Sequence, residues 1–200
     1  MRTRGLPAVR AGIESAPLPD MPTMASTQNL TAPGPAGPLA VRLYRPSTDE
    51  RLPVLVYFHG GGLVMGSNHS FEPLARELAH ATGVAVAAVE YRLAPESPPP
   101  AQFDDAYAAT EWIAANASEL DIDAGRLGVV GDSAGGSLAA AVALAARDHA
   151  GPQITLQVLL YPGLDRDMGA PSITAMPDAP MLRHDDIVYM HELVDRSGDG

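Results

Sequence analysis

The chain has 200 residues, a formal net charge of −11, 46% apolar residues, 19 glycines, 19 prolines and no cysteine. That length and apolar fraction suit one folded domain and argue against disorder, and the absence of cysteine excludes disulfides and cysteine-based metal sites. The 24 acidic residues outnumber 13 bases, all of them arginine and none in a run, so nucleic acid is a poor partner.

Residues 1–38 carry Pro17, Pro19, Pro22, Pro33, Pro35 and Pro38 and predict an irregular arm. Arg2, Arg4 and Arg10 precede no apolar stretch, so no signal peptide is expected. Leu39 to Arg45 alternates apolar and polar residues, which predicts a strand with one wet face. Val54 to Phe58 is a short apolar run that predicts a buried strand, and His59-Gly60-Gly61-Gly62 follows it. Ser70 is placed to cap a helix carrying Phe71, Leu74 and Leu78, with Pro73 in its first turn. Val84 to Val89 predicts a second buried strand, and Pro95 to Pro100 a proline-rich loop. Phe103, Ala106, Tyr107, Thr110, Ile113, Ala114 and Ala117 recur at helical spacing.

Leu127 to Val130 predicts a third buried strand running into Gly131-Asp132-Ser133-Ala134-Gly135-Gly136, and Ser137 to Arg147 a helix. Ile154 to Tyr161 predicts a fourth buried strand, ended by Pro162-Gly163. The acidic tail from Asp165 predicts one short helix over Asp185 to Val194. The longest apolar run, Leu138 to Ala146, is too short to span a bilayer, so a cytoplasmic location is expected. Strands alternating with helices imply a mostly parallel α/β sheet with helices on both faces.

Two motifs carry chemistry. Gly131-Asp132-Ser133-Ala134-Gly135 fits G-x-S-x-G, in which a tight strand-to-helix turn strains the serine and lifts its Oγ above the sheet. Glycines flank the turn because side chains there would clash, and the following helix points its positive end at the site. His59-Gly60-Gly61-Gly62 meets a second need. An oxyanion hole requires backbone N–H groups that converge on one point, and side chains would block the approach.

With these motifs the chain resembles the hormone-sensitive lipase family of α/β-hydrolases. Val41 to Pro46, Glu90-Tyr91-Arg92-Leu93-Ala94-Pro95-Glu96 and Leu160-Tyr161-Pro162-Gly163 also match, so that the resemblance covers roughly residues 39–165. It implies an α/β-hydrolase core over 39–165, with residues 1–38 and 166–200 as cap remnants and tail. It implies a carboxylesterase acting on small or medium acyl esters, without metal or cofactor. Ser133 would be the nucleophile and the N–H groups of Gly61, Gly62 and Ala134 the oxyanion hole. His59 would organise the glycine loop, and Arg92 and Glu96 would be structural. Leu63 stands where the family often has an aromatic residue, which would alter the acyl pocket.

The family's acid and histidine follow the serine by roughly a hundred residues or more. The sequence printed ends at Gly200, so the last strands, the acid and the histidine are expected to be missing from it. His184 and His191 both follow the serine as makeshift bases, and with Asp165 after the fourth strand as the acid an assembly Ser133–His191–Asp165 is conceivable, but a short acidic tail is a poor scaffold for a rigid base. Asp132 reads as a structural carboxylate. His69, His80 and His149 read as surface residues, and Asp185-Asp186 as a helix start, not a metal site. Ile154 to Tyr161 would lie at a sheet edge and invite self-association. Two functions stay open: a serine esterase, or an inactive or ligand-binding relative that keeps the pocket without turnover.

Overall fold

The expected apolar runs are the strands of a single sheet. The computed structural model describes residues 1–48 and 51–196. In chain order these form α1 (Leu6–Glu14), β1 (Ser26–Gly34), β2 (Gly37–Arg45), β3 (Leu52–Phe58), α2 (Glu72–Thr82), β4 (Ala85–Val89), α3 (Ala101–Ala115), β5 (Ile122–Asp132), α4 (Ala134–Asp148), β6 (Ile154–Leu160), α5 (Pro171–Ala175) and α6 (His184–Arg196). The last four residues of the tail lie outside the described residues. The strand order is β1-β2-β4-β3-β5-β6. β4, β3, β5 and β6 run parallel, while β1 and β2 form an antiparallel hairpin whose second strand pairs antiparallel with β4.

Parallel neighbours need crossovers, and here those are helical. One face of the sheet buries Val54, Val56 and Phe58 of β3 under Ala106, Ala109 and Ile113 of α3 and Leu138, Ala139 and Val142 of α4. The other face buries Leu55 and Tyr57 of β3, Val86 and Ala88 of β4 and Val130 of β5 with Ala75 and Ala79 of α2. A strand buried on both faces cannot alternate with polar residues, which is why β3 and β4 are continuous apolar runs.

Residues 1–38 are not an irregular arm. They hold α1 and the edge strand β1. β1 is polar over Ser26–Asn29, where Thr27, Gln28 and Asn29 are exposed to solvent. Its Pro33 sits at the hairpin end opposite Pro38, where a strand tolerates proline. α1 is a nine-residue helix with proline in its first turn, too short for a clear periodic signal. Ser70 does not cap α2: Phe71 is the residue before the helix, and Ser70 Oγ accepts a bond from the Ser67 N–H instead.

β6 is the opposite edge strand, as expected, but not the buried strand its apolar run predicts: it pairs through β5 alone, none of its residues is buried, Leu156 is 52% exposed, and Tyr161, just beyond the strand, is 73% exposed. Arg92 after β4 is clamped onto α3, donating from Nε and Nη2 to the buried Asp105 carboxylate at 2.8 Å. Glu96 accepts from Arg10 of α1 at 2.8 and 2.9 Å. Both residues therefore fasten the loop after β4, but to different elements.

Candidate active site

β5 ends at Asp132 and α4 begins at Ala134, leaving Ser133 alone in the turn with φ 52° and ψ −119°. A side-chain-bearing residue in that region costs about 1–3 kcal/mol and persists only where its surroundings force it. Here they do. The Ser133 N–H donates to Leu160 O at 2.8 Å, which ties the turn to the end of β6. The Ser137 hydroxyl donates to Gly163 O at 2.7 Å and pins the first turn of α4 to the next loop. A Cβ at Gly135 would overlap the carbonyls of Phe58 and His59, so the helix start lies directly on the end of β3. Ser133 itself is half-buried, and among the described residues nothing hydrogen-bonds its Oγ.

The glycine loop leaves β3 beside that turn. Asp132 Oδ1 accepts from the Gly60 N–H at 3.0 Å and from the Tyr57 hydroxyl at 2.7 Å. Burial pushes the Asp132 carboxyl up, against the two hydrogen bonds that pull it down. The same burial, with the carboxylate beside it, pushes the Tyr57 phenol far up, so Tyr57 stays a donor. Asp132 is thus the structural carboxylate expected from the sequence. Beyond Gly60 the chain turns tightly, with the N–H groups of Val64 and Met65 both donating to Gly61 O at 3.1 Å. Among the described residues the N–H groups of Gly61, Gly62 and Ala134 have no acceptor. Three free donors and a dipolar helix end near one strained serine are what a developing oxyanion requires.

His59 is buried at 1% exposure, and its ring stacks on Tyr91 at 4.4 Å and on Phe71 at 5.3 Å between centroids. Nδ1 lies 2.7 Å from Gly60 O and, as the donor there, leaves Nε2 with a lone pair and no partner. Burial lowers its pKa to about 4, so it is neutral at neutral pH. The Tyr91 hydroxyl donates to His59 O at 2.7 Å. These contacts hold the root of the glycine loop, and no bond joins His59 to Ser133 among the described residues.

Among the described residues the makeshift acid and base are not joined by a hydrogen bond. Asp165 is exposed and accepts from the backbone N–H of Asp167. His191 lies on α6, where burial and Arg166 lower its pKa and Asp195 raises it. No hydrogen bond links His191 to Ser133 or to Asp165 among the described residues. His69, His80 and His149 are exposed. Asp186 accepts from the amino group of Met1, and no cluster of three or more His, Asp or Glu side chains among the described residues is placed for a metal ion. Leu63 has φ 62° and packs partly against the core. Sequence reasoning missed Tyr57, Tyr91 and Met190. The two tyrosines were detectable as hydroxyls at or beside aliphatic strand ends; Met190, which touches Gly62 from α6, left no signal.

A sheet of this strand order, with a strained serine between strand and helix beside a glycine loop, defines the α/β-hydrolase architecture. The chain belongs to the alpha/beta hydrolase fold family, whose model matches residues 55–199. Its motifs are those of the hormone-sensitive lipase type. Esterase LipI of Mycobacterium tuberculosis is 42% identical over 181 residues, which is 89% of this chain and 57% of that protein. Carboxylesterase NlhH of the same organism is 47% identical over 150 residues, 74% of this chain and 46% of its own length. Among solved structures, a hyperthermophilic esterase from Pyrobaculum calidifontis superposes with a TM-score of 0.85 at 36% identity, over 94% of this chain and 63% of that one. The carboxylesterase EstE1 from a metagenomic library reaches 0.88 at 30% identity, over all of this chain and 71% of its own. The chain spans about half the length of the curated relatives it matches.

The buried His59 makes stability depend on pH. Its folded pKa lies below the ordinary 6.5, so the unfolded chain binds the extra proton first. Its contribution is complete above about pH 6.5 and is lost as pH falls towards 4, by about 2–3 kcal/mol. Urea midpoints at pH 7 and pH 4.5 should fall less in His59→Gln than in the unaltered chain, and equal falls would contradict this account of His59.

Proposed function

We propose that this chain carries the nucleophile and oxyanion hole of a carboxylic ester hydrolase acting on small or medium acyl esters. The observation that supports this best is the strained Ser133 beside three unbonded backbone N–H groups. Its relatives include an ethyl acetate hydrolase of Pseudomonas putida, 42% identical over 160 residues. In this reading Ser133 Oγ attacks the ester carbonyl and the carbonyl oxygen takes the negative charge. The N–H groups of Gly61, Gly62 and Ala134 stabilise it, the alcohol leaves, and water releases the acid. His59 organises the loop and does not take the serine proton.

We assign the cap role to the layer that α1 and α6 build over the glycine loop. It joins Leu6 to Val64, Ala94, Met190 and Leu193. Among the described residues no helix is long and apolar enough to cross a membrane, and the cytoplasm is the proposed location. The second reading, a pocket that binds without turnover, draws on one observation: no histidine among the described residues is bonded to Ser133. Without a base the serine stays a weak nucleophile, and the oxyanion hole alone sustains only residual catalysis.

We further propose that β6 pairs with β6 of a second copy. Ile154–Leu160 carries no charge in a chain of net charge −11, so this strip is where two copies meet with least repulsion.

Hydrolysis of p-nitrophenyl acetate should fall at least about tenfold in Ser133→Ala and stay within about twofold in His191→Gln. Equal rates in Ser133→Ala and the unaltered chain would assign the pocket to binding. Sedimentation velocity should show concentration-dependent dimers that Leu156→Lys removes, and a monomer at every concentration would contradict pairing through β6.

A further inference from the structure

The glycine loop is held by the Gly60 N–H on Asp132 and by two carbonyls, Gly60 O on His59 Nδ1 at 2.7 Å and Gly61 O on the Val64 and Met65 N–H groups at 3.1 Å, and beyond it Leu63 O accepts from Ala94 N at 2.8 Å. The two glycines between have left-handed backbones, φ 114° at Gly61 and 64° at Gly62. Glycine reaches many other conformations at little cost, and a turned peptide unit would aim its N–H away from the serine. Gly62 itself has no backbone hydrogen bond among the described residues, so its own setting depends on what packs against it. A Cβ at Gly62 would overlap Met190 Sδ and lie 3.2 Å from Met190 Cγ, so the thioether of α6 rests directly on the Gly62 backbone. Met190 is only 7% exposed, in a cluster with Leu6, Val64, Ala94 and Leu193. Arg10 of α1 reinforces the same layer by donating to Val64 O at 2.6 Å and to Ala94 O at 2.7 Å.

We propose that Met190 is a positioning residue for the oxyanion loop: its side chain, seated on Gly62, keeps the Gly61 and Gly62 N–H groups turned towards Ser133. The unbranched thioether suits the task, because it fills a narrow gap against the Cα of Gly62 and is too weak an acceptor to compete for the N–H groups beside it. The proposal rests on the esterase reading for its catalytic consequence, but the ordering of the loop is measurable without turnover.

The experiment is ¹⁵N relaxation on the whole chain for the unaltered protein, Met190→Ala and Met190→Leu, with initial rates on p-nitrophenyl acetate and butyrate. In the unaltered protein and in Met190→Leu the Gly61 and Gly62 amides should have order parameters near about 0.85. In Met190→Ala they should fall below about 0.6, while β3 and α4 keep theirs. The rates should lose about tenfold in kcat with KM within about twofold for both esters, because oxyanion contacts act in the transition state. Unchanged order parameters in Met190→Ala would overturn the proposal, as would a loss confined to KM that grows with acyl length, which marks a mere pocket wall. If the unaltered chain does not hydrolyse either ester, the esterase reading fails and the order parameters alone decide the role of Met190. Loss of order throughout Met190→Ala shifts the decision to Met190→Leu, in which mobile glycines within an intact fold would also overturn it.

Discussion

One buried carboxylate couples the two halves of the site. Asp132 ends β5, and its Oδ1 takes both the Tyr57 hydroxyl of β3 and the N–H of Gly60, the second residue past β3. A single acid can do this because β3 and β5 are parallel neighbours in register, Tyr57 opposite Val130 and Phe58 opposite Gly131. Parallel strands release their loops at the same edge of a sheet, so the turn bearing Ser133 and the glycine loop emerge side by side. The carboxylate then fixes their spacing.

The strain at Ser133 is carried by that same frame. β6 receives the Ser133 N–H, α4 packs its glycine-bearing first turn against the end of β3, and the loop after β6 accepts from Ser137. The cost of the serine's conformation is met by its N–H bond to the end of β6, by strand pairing and by the core formed with α3 and α4. The glycine loop differs in kind. Its lower side belongs to this rigid frame, and its upper side meets α1 and α6, joined by a small apolar cluster, by Arg10 donating to Val64 O and Ala94 O, and by the largely buried pair of the Met1 amino group with Asp186.

Much of this was legible in the sequence where burial leaves no choice. The apolar runs that become β3 and β4 need no partner to be recognised, and the glycines around Ser133 advertise a turn that excludes side chains. β1 was not legible, because an edge strand with polar residues and Pro33 looks like a loop until its partner is known. β5 begins five residues before the run at Leu127, since Ile122 pairs with Leu52 before a shift in register that apolar patterning does not encode. The positions of Ser133, His59 and the glycines followed from motif chemistry. The contact of Met190 with Gly62 did not, because it joins residues far apart in the chain through a non-specific side chain. Asp165 and His191 show the reverse case: residue types suited to a relay whose placement does not join them by hydrogen bonds.

The central claim is that the Asp132 carboxylate holds the glycine loop against the serine turn, and its most direct test is amide exchange at Gly60. In Asp132→Ala the Gly60 N–H loses the one acceptor it has among the described residues, so its exchange should quicken by at least about tenfold while the amides of β3 and β5 keep their protection. Gly60 exchange unchanged from the unaltered protein, with the strands intact, would contradict the claim.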